Sequence, residues 1–257
     1  MSRACPWRPS FVLFADLALI AGCGGGNPAT PTAPITFASH SSAHFTFRYT
    51  ALDAASVAST ADAVEGHHAR ILGDLGLSQI ASVTVTLYPD QESFRAAVVP
   101  LVGSVPSFAT GMVSGPSAIH VLSPSLASRW SYAEGLTAIV HEFAHCVSLN
   151  LNPSIAINPR WLWETVALYE AGQIVDPRTL SYMTAHQPPA LSELNRVENP
   201  AIYEVGGVIG EFIVETWGRG ALNDLVSAGG ALESVLGVDE TQFVSLWFAY
   251  VRHRYGI

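Results

Sequence analysis

The stretch Ile139-Val140-His141-Glu142-Phe143-Ala144-His145-Cys146-Val147, IVHEFAHCV, sets two imidazoles and a carboxylate in an otherwise apolar run. Just upstream, Ser131-Tyr132-Ala133-Glu134 reads as a capping box, in which the Ser hydroxyl and the Glu side chain satisfy orphan backbone donors. The helix it starts is expected to run to about Leu149. Residues four apart on a helix lie about 40° from each other and about 6 Å along the axis. His141 and His145 therefore share a face and can hold one metal between them. Glu142 flanks that face, within reach of a water there but turned away from direct ligation. From Leu136 to Val147 the remaining residues are apolar apart from Thr137, so the helix is expected to be buried on most sides. Buried imidazoles and carboxylates need partners; a zinc ion would supply them, and so would hydrogen bonds from core histidines to backbone carbonyls. With 9 His in 257 residues, chance alone yields H-E-x-x-H with odds of about 2%. The motif needs support from elsewhere in the chain.

That support comes from Glu164, which follows His145 after eighteen intervening residues and sits in Trp161–Gly172, WLWETVALYEAG. Catalytic zinc usually keeps three protein ligands and one open position. H-E-x-x-H, this gap, and a Glu in a W-x-E-x-x-A setting resemble the gluzincin (peptidase MA-like) zinc metallopeptidases, over about residues 40 to 255. The resemblance implies one zinc per chain, with His141, His145 and Glu164 as ligands and Glu142 as general base. Trp161, Trp163, Ala167 and Tyr169 match the usual surround of the third ligand. Thr165 departs from it: Gly is common there, and a β-branched residue would crowd the helix contact. Glu170 is a competing carboxylate, but it lies about 240° around the helix from Glu164 and cannot share its face. Tyr203 is implied as the group that steadies the oxyanion; its bland alternative is a Tyr anchoring a helix start.

The same resemblance implies an α+β, zincin-like fold, with a small N-terminal mixed sheet, the active-site helix, and then a helical C-terminal lobe. An edge strand within Ala109–Leu122 would bind an extended peptide. GMVSG, Gly111–Gly115, is similar to the aminopeptidase substrate strand but lacks the Glu that captures a free amine, which favours an endopeptidase. The implied partner is thus a peptide or protein substrate. The rival expectation is a zincin-fold envelope lipoprotein without turnover, acting in binding or structure; Thr165 and the missing specificity motifs motivate it.

Composition narrows the field. Arg and Lys together number 12 against 21 acidic residues, for a net charge of −9. All twelve are Arg. Such a chain is a poor binder of nucleic acid or anionic lipid. The absence of Lys also excludes Schiff-base chemistry, Ser-Lys dyads and P-loops, and there is no G-x-S-x-G elbow for a serine hydrolase.

Residues 1–23 read as a signal peptide ending in a lipobox. Arg3 and Arg8 precede an apolar segment, Phe11–Ile20, too short to span a bilayer. Ile20-Ala21-Gly22-Cys23 resembles a bacterial lipobox whose Cys23 is lipidated, although Asp16 interrupts the apolar run. Residues 24–35, rich in Gly, Pro and Thr, read as a flexible linker, and 36–257 as the metallopeptidase-like domain. The expected location is the cell envelope, with the outer membrane suggested by Gly24, or the exterior; an ordinary cleaved signal is the alternative. Membrane contact would then come only through the lipid anchor. Cys146 would be the one thiol inside the domain, and its apolar setting predicts a small buried hydrophobe rather than a nucleophile.

Strands are expected at Phe45–Tyr49 and Val83–Tyr88, and a hairpin over Ala109–Leu122 turning at Gly115-Pro116-Ser117. Helices are expected over Asp53–Leu75 and Gln91–Val99. Asn158-Pro159 should cap and open the helix that carries Glu164. A helical tail follows Leu191, broken at Gly218, Gly220, Gly229-Gly230 and Gly237. His67-His68 are expected on an exposed helix face and His120 at a satisfied or solvent-facing position. His120 and His186 are weaker candidates than Tyr203 for steadying the oxyanion, and His40, His44 and His253 show no metal-ligand spacing.

Overall fold

The computed structural model describes residues 35–156 and 158–257. The signal peptide, the lipobox Cys23 and most of the linker fall on residues 1–34, outside the described residues. Ile35–Ile257 make one compact unit of α+β type. No described helix is long and apolar enough to cross a membrane.

Five strands come early: β1 (Ala38–Ser41), β2 (Phe45–Tyr49), β3 (Val83–Tyr88), β4 (Gly111–Gly115) and β5 (Ala118–Leu122). They form one mixed sheet in the order β1-β2-β3-β5-β4. β2, β3 and β5 run parallel, while β1 and β4 are antiparallel edges. Between and after the strands lie α1 (Val57–Asp74), α2 (Gln91–Val102), α3 (Tyr132–Leu151) and α4 (Arg160–Glu170). The tail adds α5 (Ser181–Thr184), α6 (Leu191–Leu194), α7 (Ala201–Trp217), α8 (Arg219–Ser227), α9 (Leu232–Leu236) and α10 (Glu240–Tyr255).

The period-two alternation of the strands splits the sheet into two faces. Phe45, Phe47, Val83, Val85, Leu87, Ile119 and Val121 join α1 and α3 in the main core. Tyr88 and Leu122 pack on the other face with Phe94 and Val98 of α2. The parallel strands keep this alternation, as in FTFRY of β2 and VTVTLY of β3, and only the end of β3 and of β5 is buried on both faces. The sheet thus gives α3 a flat apolar bed, with Phe143 packed edge-on against Phe45 at 4.9 Å between ring centroids.

The capping box at Ser131 forms in both directions: Glu134 N–H donates to the Ser131 hydroxyl, and Ser131 N–H donates to the Glu134 carboxylate at 2.7 Å. Asn158 does not cap α4. Pro159 holds the N-cap position without a side-chain bond, and the Trp161 N–H instead donates to Asn195 Oδ1 at 3.0 Å, from a loop 34 residues on. A partner so remote leaves no local sequence signal. Gly220 does not break the tail either; it lies within α8. β1 had no counterpart among the expected strands, because its short polar run ASHS is exposed and carries no alternation.

Two histidine expectations resolve differently. His68 is buried, not exposed, stacked between His44 at 3.7 Å and Phe143 at 5.5 Å. His120 is satisfied by Tyr88 Oη at 3.0 Å and Ser114 Oγ at 2.9 Å. Cys146 is fully buried, and burial pushes its thiol pKa well up, so it stays a thiol.

Candidate metal centre

His141 and His145 lie one turn apart on α3, and Glu164 reaches them from the adjoining α4. One potential ligand atom from each of these three residues lies within 4.8 Å of the others. Glu164 Oε2 stands 3.3 Å from His141 Nε2 and 3.7 Å from His145 Nε2. All three side chains are buried. Glu164 Oε2 has no hydrogen-bond donor among the described residues. Leaving a buried carboxylate oxygen without a partner is costly. A cation placed between that oxygen and the two ring nitrogens would remove the cost, so the residues fit a metal ion. Glu170 does not join them. It points to α1, where Arg70 Nη1 donates to its carboxylate at 2.6 Å.

Electrostatics favour the same donor set. Burial would raise the Glu164 pKa, but the two imidazoles outweigh it and hold the carboxyl well below the usual range. Burial pushes His145 down to about 4, keeping its ring neutral. At His141 burial works in the same direction, yet Glu164, Glu142 and Gln173 overcome it and raise the pKa. A cation entering the cluster would thus compete with a proton on His141.

Each ring is oriented by its neighbours. His141 Nδ1 donates to Gln173 Oε1 at 2.8 Å, which turns Nε2 toward Glu164. His145 stacks on Trp163, centroids 4.0 Å apart and planes 6° from parallel. Tyr203, near the start of α7, donates its hydroxyl to Glu164 Oε1 at 3.1 Å. The Tyr203 ring lies under the guanidinium of Arg160, 5.3 Å away. Burial and the Glu164 charge push the Tyr203 pKa well up, so the phenol keeps its proton.

No protein-family model matches the chain, and no curated protein matches it in sequence.

Glu142 sits beside the three-residue group, 7% exposed, and burial pushes its pKa up to about 8, with Glu164 adding to the shift and His141 opposing it. Its carboxylate lies directly against Gly111, the first residue of edge strand β4; a Cβ there would overlap Glu142 Oε1. Gly111 is therefore a contact residue of the site, and Gln173 and Arg160 are others that sequence spacing did not disclose. Arg160 is buried and donates through Nη1 to the carbonyls of Leu194, Arg196 and Asn199 at 3.0–3.2 Å, which fixes the loop ahead of Tyr203. Phe108, 44% exposed, packs edge-on to Tyr203 at 6.2 Å and gives the neighbourhood of the site an apolar surface.

Thr165 is fully buried on the side of α4 that meets α7. Gly206 of α7 faces α4 there, its ideal Cβ position only 3.5 Å from Thr165 Cα.

Proposed function

We propose that this chain is a zinc-dependent endopeptidase of the gluzincin type. The observation that carries the reading is the buried convergence of His141, His145 and Glu164 from two helices, with Glu142 alongside. Two imidazole nitrogens and one carboxylate are a donor set that suits zinc and leaves a coordination position open. Zinc, when bound, supplies Lewis-acid polarisation of a water and of the substrate carbonyl.

The remaining chemistry belongs to the chain. Glu142 takes the proton from the attacking water and passes it to the leaving amine. Burial raises its pKa, and a divalent charge beside it would pull that pKa back down and favour the carboxylate that accepts the proton. Tyr203 holds a phenolic proton that it now gives to Glu164; the same hydrogen can turn to the carbonyl oxygen as negative charge develops there. Among the described residues, β4 is hydrogen-bonded on one side only, to β5. Its free edge can add an extended peptide by strand pairing, and the Gly111 contact with Glu142 would bring that peptide beside the general base. Export with a lipid anchor at Cys23 belongs to the same proposal and rests on the sequence alone: Arg3 and Arg8, the apolar Phe11–Ile20 and the I-A-G-C quartet.

The test is cleavage of a broad peptide library by the zinc-loaded protein and by Glu142→Gln. The wild type is expected to cleave, and the variant to retain zinc while losing activity by about 10²–10⁴-fold. A zinc-loaded wild type that cleaves nothing would favour the non-catalytic alternative.

A further inference from the structure

We infer that Gln173 is a positioning residue of the metal centre: its side-chain oxygen fixes the His141 ring so that Nε2 faces Glu164 and His145. The inference rests on the reading of His141 as a ligand. A neutral imidazole carries its proton on one nitrogen and offers the other, and the hydrogen bond made by the first decides which is offered. Here His141 Nδ1 meets Gln173 Oε1 at 2.8 Å. His145 has no such anchor, since its Nδ1 is without a partner among the described residues and the ring is held by stacking on Trp163. Of the two imidazoles, His141 alone is oriented by a hydrogen bond, and Gln173 provides it.

The backbone explains why Gln173 arrives there. α4 ends at Glu170, and Gly172, at φ +69°, turns the chain back in a conformation that side-chain-bearing residues rarely adopt. Gln173 N–H then donates to the Leu168 carbonyl at 2.8 Å. From the other side Gly207 of α7 comes so close that a Cβ there would overlap the Gln173 carbonyl oxygen. Held on both sides, the short segment from Glu164 to Gln173 reaches both nitrogens of His141.

The experiment measures zinc affinity by competition with a chromogenic chelator on wild type, Gln173→Leu and Gln173→Glu. Leu fills a similar volume without an acceptor, whereas Glu keeps one. Gln173→Leu should bind zinc about 10–100-fold more weakly, and Gln173→Glu at least as tightly as wild type. Gly207→Ala, which leaves the Gln173 side chain intact but displaces its carbonyl, should weaken binding in the same direction, and it stands in if Gln173→Leu does not fold. Gln173→Leu binding within about threefold of wild type, or Gln173→Glu losing as much as Gln173→Leu, would overturn the inference while leaving the ligand reading intact. A wild type that binds no zinc would instead overturn the ligand reading, and this inference with it.

Discussion

The backbone of Gly111 and the carboxylate of Glu142 are in contact, and no larger residue fits at that strand position without displacing the side chain. If Glu142 is the general base, the contact sets where its oxygen lies relative to the reacting water. Misplacement by about 1 Å can cost on the order of 10² in rate. Gly111→Ala is accordingly expected to lower peptide turnover by about 10-fold or more with zinc content unchanged, as read by kinetics alongside metal analysis. Unchanged turnover would show that Gly111 has no part in placing the base. The sequence contains this residue in GMVSG but offers no sign of its role, because the contact joins a strand to a helix some thirty residues on. The motif residues themselves are a different matter. His141 and His145 were legible because helical periodicity alone puts positions four apart on one face. Glu164 was legible only through the spacing of a resembled family, and the structure then places it with the other two.

Between elements, α4 and α7 make the most extensive helix pairing in the molecule, and glycines on α7 allow it. An added Cβ at Gly206 would press on the Leu168 side chain, 2.6 Å away, and overpacking of this kind costs about 1–3 kcal/mol. Set against the helix propensity that alanine gains, up to about 1 kcal/mol, Gly206→Ala should be destabilised by up to about 2 kcal/mol, read as a lower unfolding midpoint in urea. Gly220 offers the opposite case, lying inside α8 with nothing near its missing side chain. Gly220→Ala is expected to stabilise by up to about 1 kcal/mol, through the poor helix propensity of glycine. Equal shifts of one sign in the two variants would contradict the packing account. At this scale, elements whose cause is local were readable beforehand. β3 spans Val83–Tyr88 as its alternation implied, and α3 begins at its capping box. The helix that carries Glu164 was also expected, but its cap was misassigned to Asn158, because the true partner, Asn195, is distant in sequence. Gly220 was read as a break by residue type alone, whereas the break falls at Gly218 and Gly220 is already in the first turn of the helix that follows.

Across the whole fold, α1 and α4 are tied by an ionic network in which Arg70 bonds both the carboxylate and the carbonyl of Glu170, and Asp74 takes a further bond from Arg70. Burial, with the Asp74 charge beside it, pushes the Glu170 pKa up to about 7, and Arg70 only partly offsets this. Because the folded-state pKa is raised, the folded state binds this proton more readily than the unfolded chain. Its stabilising effect is complete below the ordinary Glu value and is lost as pH rises through about 7. Wild type should therefore lose more stability than Glu170→Gln between about pH 5 and about pH 8 in urea titrations; equal losses would contradict the assignment. Such pairings join positions a hundred residues apart, which is why the sequence could propose Glu170 only as a rival ligand.

The proposed hydrolysis depends on a metal held by His141, His145 and Glu164. Native mass spectrometry of the full chain, purified without chelators and then given zinc in slight excess, reads the stoichiometry directly. About one zinc per chain in the wild type is predicted, and none retained in His141→Ala. A wild-type chain that takes up no zinc at neutral pH, or a His141→Ala variant that binds it equally, would contradict the central claim.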